Sequence, residues 1–277
     1  MFKIIEKLKL AEGIKKLVVE ASKVSQNAQP GQFVMAIPFA RGERIPLTIA
    51  DFDKERGTIT LIFQEAGFTT KKLGAMKIGQ DIFSILGPLG HPTEIANFGK
   101  VICIGGGVGI AELYPVCKAL KTAGNKVIGI IGSRTKRLLI LESQMRRACN
   151  ELYITTDDGT YGRRGLVSEI LREMLNQPNH EEIKLVYCIG PVPMMRAVTE
   201  LTRPFKIKTI VSLNPVMVDG TGMCGSCRVK INSRTQFACV DGPEFDGHAV
   251  DFVELQHRLS LFKDQEICLD QQCRANP

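Results

Sequence analysis

Between residues 101 and 202 a short strand-type run is followed four times by a stretch with helical spacing: 101–104 then 110–123, 126–131 then 139–149, 151–155 then 166–175, and 185–189 then 193–202. Such alternation leaves few architectures open. The leading run, Val-Ile-Cys-Ile, is apolar on both faces and so belongs inside a sheet covered on both sides. Strand and helix in turn predict a doubly wound parallel sheet, with any ligand at the carboxyl ends of its strands.

The chain has 277 residues, more than that sheet needs. Before it, residues 1–97 carry short alternating runs at 15–19, 33–37, 58–63 and 81–86. Turn signals separate them: Gln29-Pro30-Gly31, Glu55-Arg56-Gly57, Ile78-Gly79-Gln80 and Gly87-Pro88-Leu89-Gly90. Short strands at this spacing predict a small antiparallel barrel, whose closure removes the exposed edges that separate strands would present. From about Ile207 the strand–helix alternation stops and Gly, Cys and Asp become frequent, while residues 249–262 regain helical spacing. The expected organisation is a β barrel plus α/β: a barrel domain over 1–97, a doubly wound parallel nucleotide-binding sheet over 98–206, and a small C-terminal subdomain with a final helix over 207–277.

No apolar run reaches the roughly 20 residues of a membrane helix. The N-terminus, Met-Phe-Lys-Ile-Ile-Glu-Lys, mixes charges and lacks a small-residue cleavage site, so a cytoplasmic protein with no membrane partner is expected. The net charge of +7 comes from 36 Lys and Arg against 29 Asp and Glu, spread along the chain, with 6% aromatic residues and no Trp. A nucleic-acid binder clusters its basic residues, so none is expected as partner; a mildly basic surface suits solvent or an acidic protein partner. Nine cysteines stand at 103, 117, 149, 188, 224, 227, 239, 268 and 273. An odd number at irregular spacing argues against a disulfide framework. Cys103 and Cys117 lie in apolar surroundings and read as buried thiols, and Cys268 and Cys273 as free thiols near the tail.

Five segments carry chemistry. Gly105-Gly-Gly-Val-Gly109 lies between a buried strand and a helix, where backbone N–H groups and the helix N-terminus favour a pyrophosphate. Gly132-Ser133-Arg134-Thr135 ends the next strand, and Arg134 offers a fork for a phosphate. Nearby Glu142 suits a ribose 2′-hydroxyl, while Lys136 and Arg137 suit a 2′-phosphate, so the residues lean to NAD(H) and leave NADP(H) open. Cys188-Ile-Gly190-Pro191-Val-Pro-Met bends before a helix expected to begin near Pro193, and such a bend brings backbone against a flat ring. In the barrel half, Arg44-Ile-Pro46-Leu47-Thr48 and Ile62-Phe63-Gln64 end strands, and Gly67, Thr69 and Thr70 offer donors to a second pyrophosphate. The strongest segment is Asp219-Gly-Thr-Gly-Met-Cys224-Gly-Ser-Cys227, followed by Cys239. Its spacing is that of a plant-type [2Fe–2S] site with a carboxylate in place of one thiolate. Zinc or a redox dithiol also suits Cys-x-x-Cys.

Taken in order, and over essentially the whole chain, these segments resemble the ferredoxin–NADP-reductase-like electron-transfer subunits that carry FAD and a C-terminal [2Fe–2S] cluster. Two branches are close: the electron-transfer subunit of dihydroorotate dehydrogenase type B, and the small subunit of NADH-dependent reduced ferredoxin:NADP⁺ oxidoreductase, related to sulfide dehydrogenase subunits. Met217-Val-Asp-Gly-Thr-Gly-Met-Cys-Gly-Ser-Cys-Arg-Val229 and Phe237-Ala-Cys-Val-Asp-Gly-Pro-Glu-Phe-Asp246 look like the second branch. In the first, the position of Asp219 is expected to be cysteine. The general reductase pattern sets its arginine three residues before the Ser/Thr, a place filled here by Ile45, with Arg44 one earlier.

The resemblance implies that Arg44, Pro46, Leu47 and Thr48 hold the flavin and its phosphates, that Ile62, Phe63 and Gln64 lie along it, and that Gly67, Thr69 and Thr70 take its pyrophosphate. Gly107, Val108, Gly109, Ser133, Arg134, Cys188, Gly190 and Pro191 would bind the nicotinamide nucleotide, with 157–162 bordering it. Asp219, Cys224, Cys227 and Cys239 would ligate the cluster. The implied activity is electron transfer between NAD(H), FAD and the cluster, with no catalytic acid or base, to a larger flavin and iron–sulfur subunit in a bifurcating heterodimer that also serves ferredoxin. The competing expectations are a dihydroorotate dehydrogenase subunit and a nucleotide-sensing module with structural zinc.

Overall fold

The computed structural model describes residues 2–261; Phe262, Cys268 and Cys273 lie outside the described residues. The chain forms two compact units. One takes the chain up to residue 91, residues 214–242 and the chain from 251; the other takes 92–213 and 243–250.

In the first unit the strands are β1 (Phe2–Ala11), β2 (Ile14–Glu20), β3 (Phe33–Ile37), β4 (Ile45–Asp53), β5 (Thr58–Gln64), β6 (Asp81–Ile82) and β7 (Ser84–Leu89), with helices α1 (Ser22–Asn27) and α2 (Phe68–Ala75). They pair antiparallel in the order β6-β1-β2-β5-β4-β3-β7. Only Phe83 separates β6 from β7, the two ends of that order, so the sheet curls back into a nearly closed barrel. Leu17, Val34, Ile59 and Leu61 fill its core, with Val24 from α1 and Ala28 just after it. Phe83 thus divides the run expected at 81–86. Two strands lacked a legible signal. In β1 the pairing shifts register twice, between Ile4 and Glu6 and between Lys9 and Ala11, so strict alternation is lost. In β4, Pro46 masks a strand that does form, paired with β3 through Met35.

The second unit contains β8 (Lys100–Gly106), α3 (Gly109–Thr122), β9 (Lys126–Ser133), α4 (Glu142–Ala148), β10 (Glu151–Thr156), β11 (Arg163–Arg164), α5 (Val167–Leu175), β12 (Ile183–Ile189), α6 (Val192–Thr202) and β13 (Lys208–Ser212). After the short strands β14 (Arg228–Ile231) and β15 (Arg234–Phe237), which belong to the first unit, the chain adds β16 (Glu244–Asp246) to this sheet. The order is β11-β10-β9-β8-β12-β13-β16, parallel except for β16. Helix α6 starts at Val192, with Pro191 rather than a later residue at its N-cap. Strand β13 escaped the sequence reading because no helix follows it. The last helix, α7 (Phe252–Ser260), returns to the first unit, where the Asp251 side chain accepts a hydrogen bond from the Glu254 N–H at 2.9 Å. Among the described residues no helix is long and apolar enough to cross a membrane.

Candidate cofactor and iron–sulfur sites

In the barrel, Leu47 and Phe63 point into the core, whereas Pro46, Thr48, Ile62 and Gln64 alternate to its other side. Only backbone from Leu47 and Phe63 can therefore meet a ligand on that outer side. Gly67 caps α2, and the first helical bond runs from the Lys71 N–H to the Gly67 carbonyl at 3.0 Å. The N–H groups of Phe68, Thr69 and Thr70 precede it, the usual orphan donors of a helix start. A side chain at Gly67 would project into open space. The hydroxyls expected to help are engaged elsewhere: Thr69 donates to Glu43 at 2.5 Å and Thr70 bonds back to Gly67 at 3.0 Å. The donors left open at this helix start are backbone N–H groups, not hydroxyls.

In the parallel sheet, β9 lies on one side of β8 and β12 on the other. This reversal is the switch point at which such sheets open a crevice. The glycine run leaves the carboxyl end of β8 there. Gly107 has φ +57 and open space around it. Gly109 leaves no room: a Cβ would stand 2.8 Å from the Ile189 carbonyl oxygen and 3.1 Å from Gly190 Cα. Gly190, with φ +155, closes on Gly106 in the same way. Gly107, Val108, Gly109, Gly190 and Pro191 are thus brought together at one crevice. Ser133 is buried at the end of β9 and donates to the Thr135 carbonyl at 2.8 Å, while Arg134 is exposed beside it. The 157–162 turn borders this end: Thr160 accepts from the Lys136 N–H at 2.9 Å, and Tyr161 donates to Glu142 at 2.8 Å. Burial raises the Glu142 carboxyl, but hydrogen bonds from Arg146 and Tyr161 outweigh it and hold the group below its usual range. Cys188 lies fully buried between β8 and β13, and burial pushes its thiol far up, so it stays neutral.

The third group lies in the first unit. Cys227 and Cys239 are buried with their sulfurs 3.2 Å apart, near enough to serve one metal ion. Burial and the neighbouring Cys227 push the Cys239 thiol up to about 12, so ligation must displace its proton. Cys224 is exposed beside the Ser226 hydroxyl at 3.2 Å, which lowers its thiol. Asp219 Oδ1 takes a bond from Arg44 Nη1 at 2.9 Å, and Oδ2 accepts from the Thr221 N–H at 3.1 Å and from its hydroxyl. Thr221 first, then Arg44, holds its carboxyl below the usual range. Three thiols and a carboxylate on one glycine-rich lobe fit a [2Fe–2S] cluster by donor chemistry. Among the described residues, no three such side chains converge on a single-ion site. Thr221 and Ser226 were missed by sequence reasoning, although Asp-Gly-Thr is a side-chain turn signal. Nothing local signalled the Arg44–Asp219 pair.

A barrel with open backbone donors at a helix start, a parallel sheet with a glycine crevice and a cysteine lobe together define an electron-transfer oxidoreductase of the ferredoxin–NADP-reductase-like class. A family model for the iron–sulfur cluster binding domain of dihydroorotate dehydrogenase B matches residues 214–251, and one for an oxidoreductase NAD-binding domain matches 103–200. A Thermotoga maritima homolog of the dihydroorotate dehydrogenase B (NAD⁺) electron-transfer subunit is 43% identical over 95% of this chain and 92% of its own. The Caldanaerobacter subterraneus subsp. tengcongensis electron-transfer subunit is 34% identical over 80% and 87%. The chain belongs to the family of dihydroorotate dehydrogenase B electron-transfer subunits and their homologues. A solved structure described for flavin-based electron bifurcation by NADH-dependent reduced ferredoxin–NADP oxidoreductase superposes with a TM-score of 0.92, at 41% identity, over 98% of this chain and 97% of that one. The cofactors of the present chain are FAD, a [2Fe–2S] cluster and NAD(H), which sets the zinc reading aside.

Proposed function

We propose that the chain is the FAD- and [2Fe–2S]-carrying small subunit of a bifurcating NADH-dependent ferredoxin:NADP⁺ oxidoreductase, joined to a larger flavin and iron–sulfur subunit in a heterodimer and serving ferredoxin through that complex. The observation that carries this reading is the full-length likeness, at 41% identity and a TM-score of 0.92, to the structure described for that enzyme.

When bound, the nucleotide and FAD supply hydride chemistry and the cluster single-electron transfer, and the protein supplies distance and orientation. The N–H groups of Phe68, Thr69 and Thr70 would bind the flavin pyrophosphate, with backbone at Pro46–Thr48 and residues 62–64 orienting the ring system. Gly107, Val108 and Gly109 would bind the nucleotide pyrophosphate. Ser133 and Arg134 would hold its adenosine end, and Gly190, Pro191 and the neutral Cys188 its nicotinamide edge. Asp219, Cys224, Cys227 and Cys239 would hold the cluster. No side-chain proton is needed for a hydride and electrons to move. Co-purification from the native cell should recover the larger subunit, and the pair should reduce NADP⁺ with NADH and reduced ferredoxin together. Recovery of an active dihydroorotate dehydrogenase instead would overturn this reading. That alternative is favoured by the description of the iron–sulfur family model, and dihydroorotate-dependent NAD⁺ reduction by the purified complex decides it.

A further inference from the structure

Arg44 precedes β4 by one residue, one place away from where the reductase pattern sets its phosphate-binding arginine. Its guanidinium donates to Asp219 Oδ1 at 2.9 Å, across 175 positions of sequence. We propose that Arg44 is a positioning residue for the carboxylate ligand Asp219, setting the potential of the iron–sulfur cluster rather than binding a flavin phosphate; the inference rests on the reading of Asp219 as a ligand.

The carboxylate is held from two sides. Arg44 takes one oxygen, and the Thr221 N–H and hydroxyl take the other. The turn between them is fixed against the barrel. Gly220 has φ +84, and a Cβ there would stand 2.4 Å from Met35 Cγ and 3.1 Å from Leu89 Cδ1. A side chain at 220 would therefore meet both strain and crowding against Met35, one residue from Asp219. The Arg44 side chain is 47% exposed and that of Asp219 22%, so as a mere surface pair it would add little stability. Its consequence is electrostatic. A guanidinium on a ligating carboxylate draws charge from the donor oxygen and sets a positive charge beside the centre. Both favour the reduced cluster, which carries one more negative charge. Arg44 therefore raises the cluster potential, against the charge that a carboxylate ligand brings.

The test uses the anaerobically purified full chain, titrated with dithionite and followed by electron paramagnetic resonance, with iron and FAD counted per chain. Arg44→Gln should keep its iron and its FAD and shift the cluster midpoint to lower potential. Arg44→Lys, which keeps the charge but loses the fork, should shift it less in the same direction, and it reads the proposal should the Gln variant fail to fold. In an Asp219→Cys background, Arg44→Gln should shift the midpoint less than in the wild type. Loss of FAD from Arg44→Gln with an unchanged cluster midpoint and spectrum overturns the proposal and returns Arg44 to the flavin. Asp219→Ala separates the two levels. If it leaves the cluster spectrum unchanged, the ligand reading has failed; if it changes the spectrum while both Arg44 variants leave the midpoint in place, only the Arg44 assignment has failed.

Discussion

Single residues divide the work of folding from that of binding, and the proposed flavin site puts Gly67 on the binding side. Its backbone is extended (φ −122, ψ −178), which any residue adopts, and the space around it is open. An acidic residue is even preferred at a helix N-cap. Gly67→Asp should therefore fold as well as the wild type while setting a negative charge where the flavin pyrophosphate would lie. The expected outcome is FAD affinity reduced at least about tenfold, roughly 1.4 kcal/mol, with the thermal midpoint of the flavin-free protein unchanged or higher. Equal FAD content in variant and wild type would show that the pyrophosphate lies elsewhere. Gly109 is the opposite case: its backbone approach to Ile189 leaves no space for any side chain, so substitution there would disturb α3 itself.

Between elements, the junction of β12 and β16, the two strands that flank β13, holds a buried polar group that no periodicity foretold. Tyr187, 1% exposed, donates to Glu244 Oε1 at 2.7 Å, and Thr93 donates to the same oxygen at 2.5 Å. Glu244→Ala would leave both hydroxyls without their acceptor, at a cost of about 1–3 kcal/mol. The pH dependence has a definite sign. Burial holds the Glu244 carboxyl above its usual range, and the bonds from Thr93 and Tyr187 offset only part of that. The folded protein thus binds this proton more tightly than the unfolded chain. Its contribution is full below the unfolded pKa of about 4.3 and is lost as pH rises through the folded value. Wild-type stability relative to Glu244→Gln should accordingly fall as pH is raised from about 4; denaturant midpoints of the two proteins that keep a constant difference over that range would refute the assignment. This junction also marks what was legible in the sequence. Strands followed by helices, such as β8 with α3 and β12 with α6, announce themselves by a change of period. Strands β13 and β16 pair antiparallel without an intervening helix, and β1 bulges, so neither pattern survives in the sequence. The spacing of the proposed cluster ligands, Asp219 to Cys239, is local and stands in the sequence as a pattern; the partners Glu43 and Arg44 act across long stretches of chain and leave none.

For the molecule as a whole, the chain's path through its two units makes the cluster lobe separable in stability from its surroundings. Residues 214–242 have little to fold around: two four-residue strands, β14 and β15, and a few buried side chains such as Val229, Ile231 and Ala238. Cys227 and Cys239 are themselves part of that small core, so binding a cluster there contributes directly to folding. The next few residues belong to a different body, since β16 is hydrogen-bonded to β13 in the parallel sheet. Removing iron with a chelator under anaerobic conditions should therefore lower hydrogen-exchange protection in 214–242 by at least about tenfold, roughly 1.4 kcal/mol of local opening free energy. Barrel strands β2 and β5 and sheet strands β8 and β12 should keep theirs, and so should β16, although only a few residues separate it from the lobe. Protection lost uniformly across the chain would mean that the cluster stabilises the whole fold. Protection unchanged in 214–242 would mean that the lobe folds without its metal and that its cysteines are organised by packing alone.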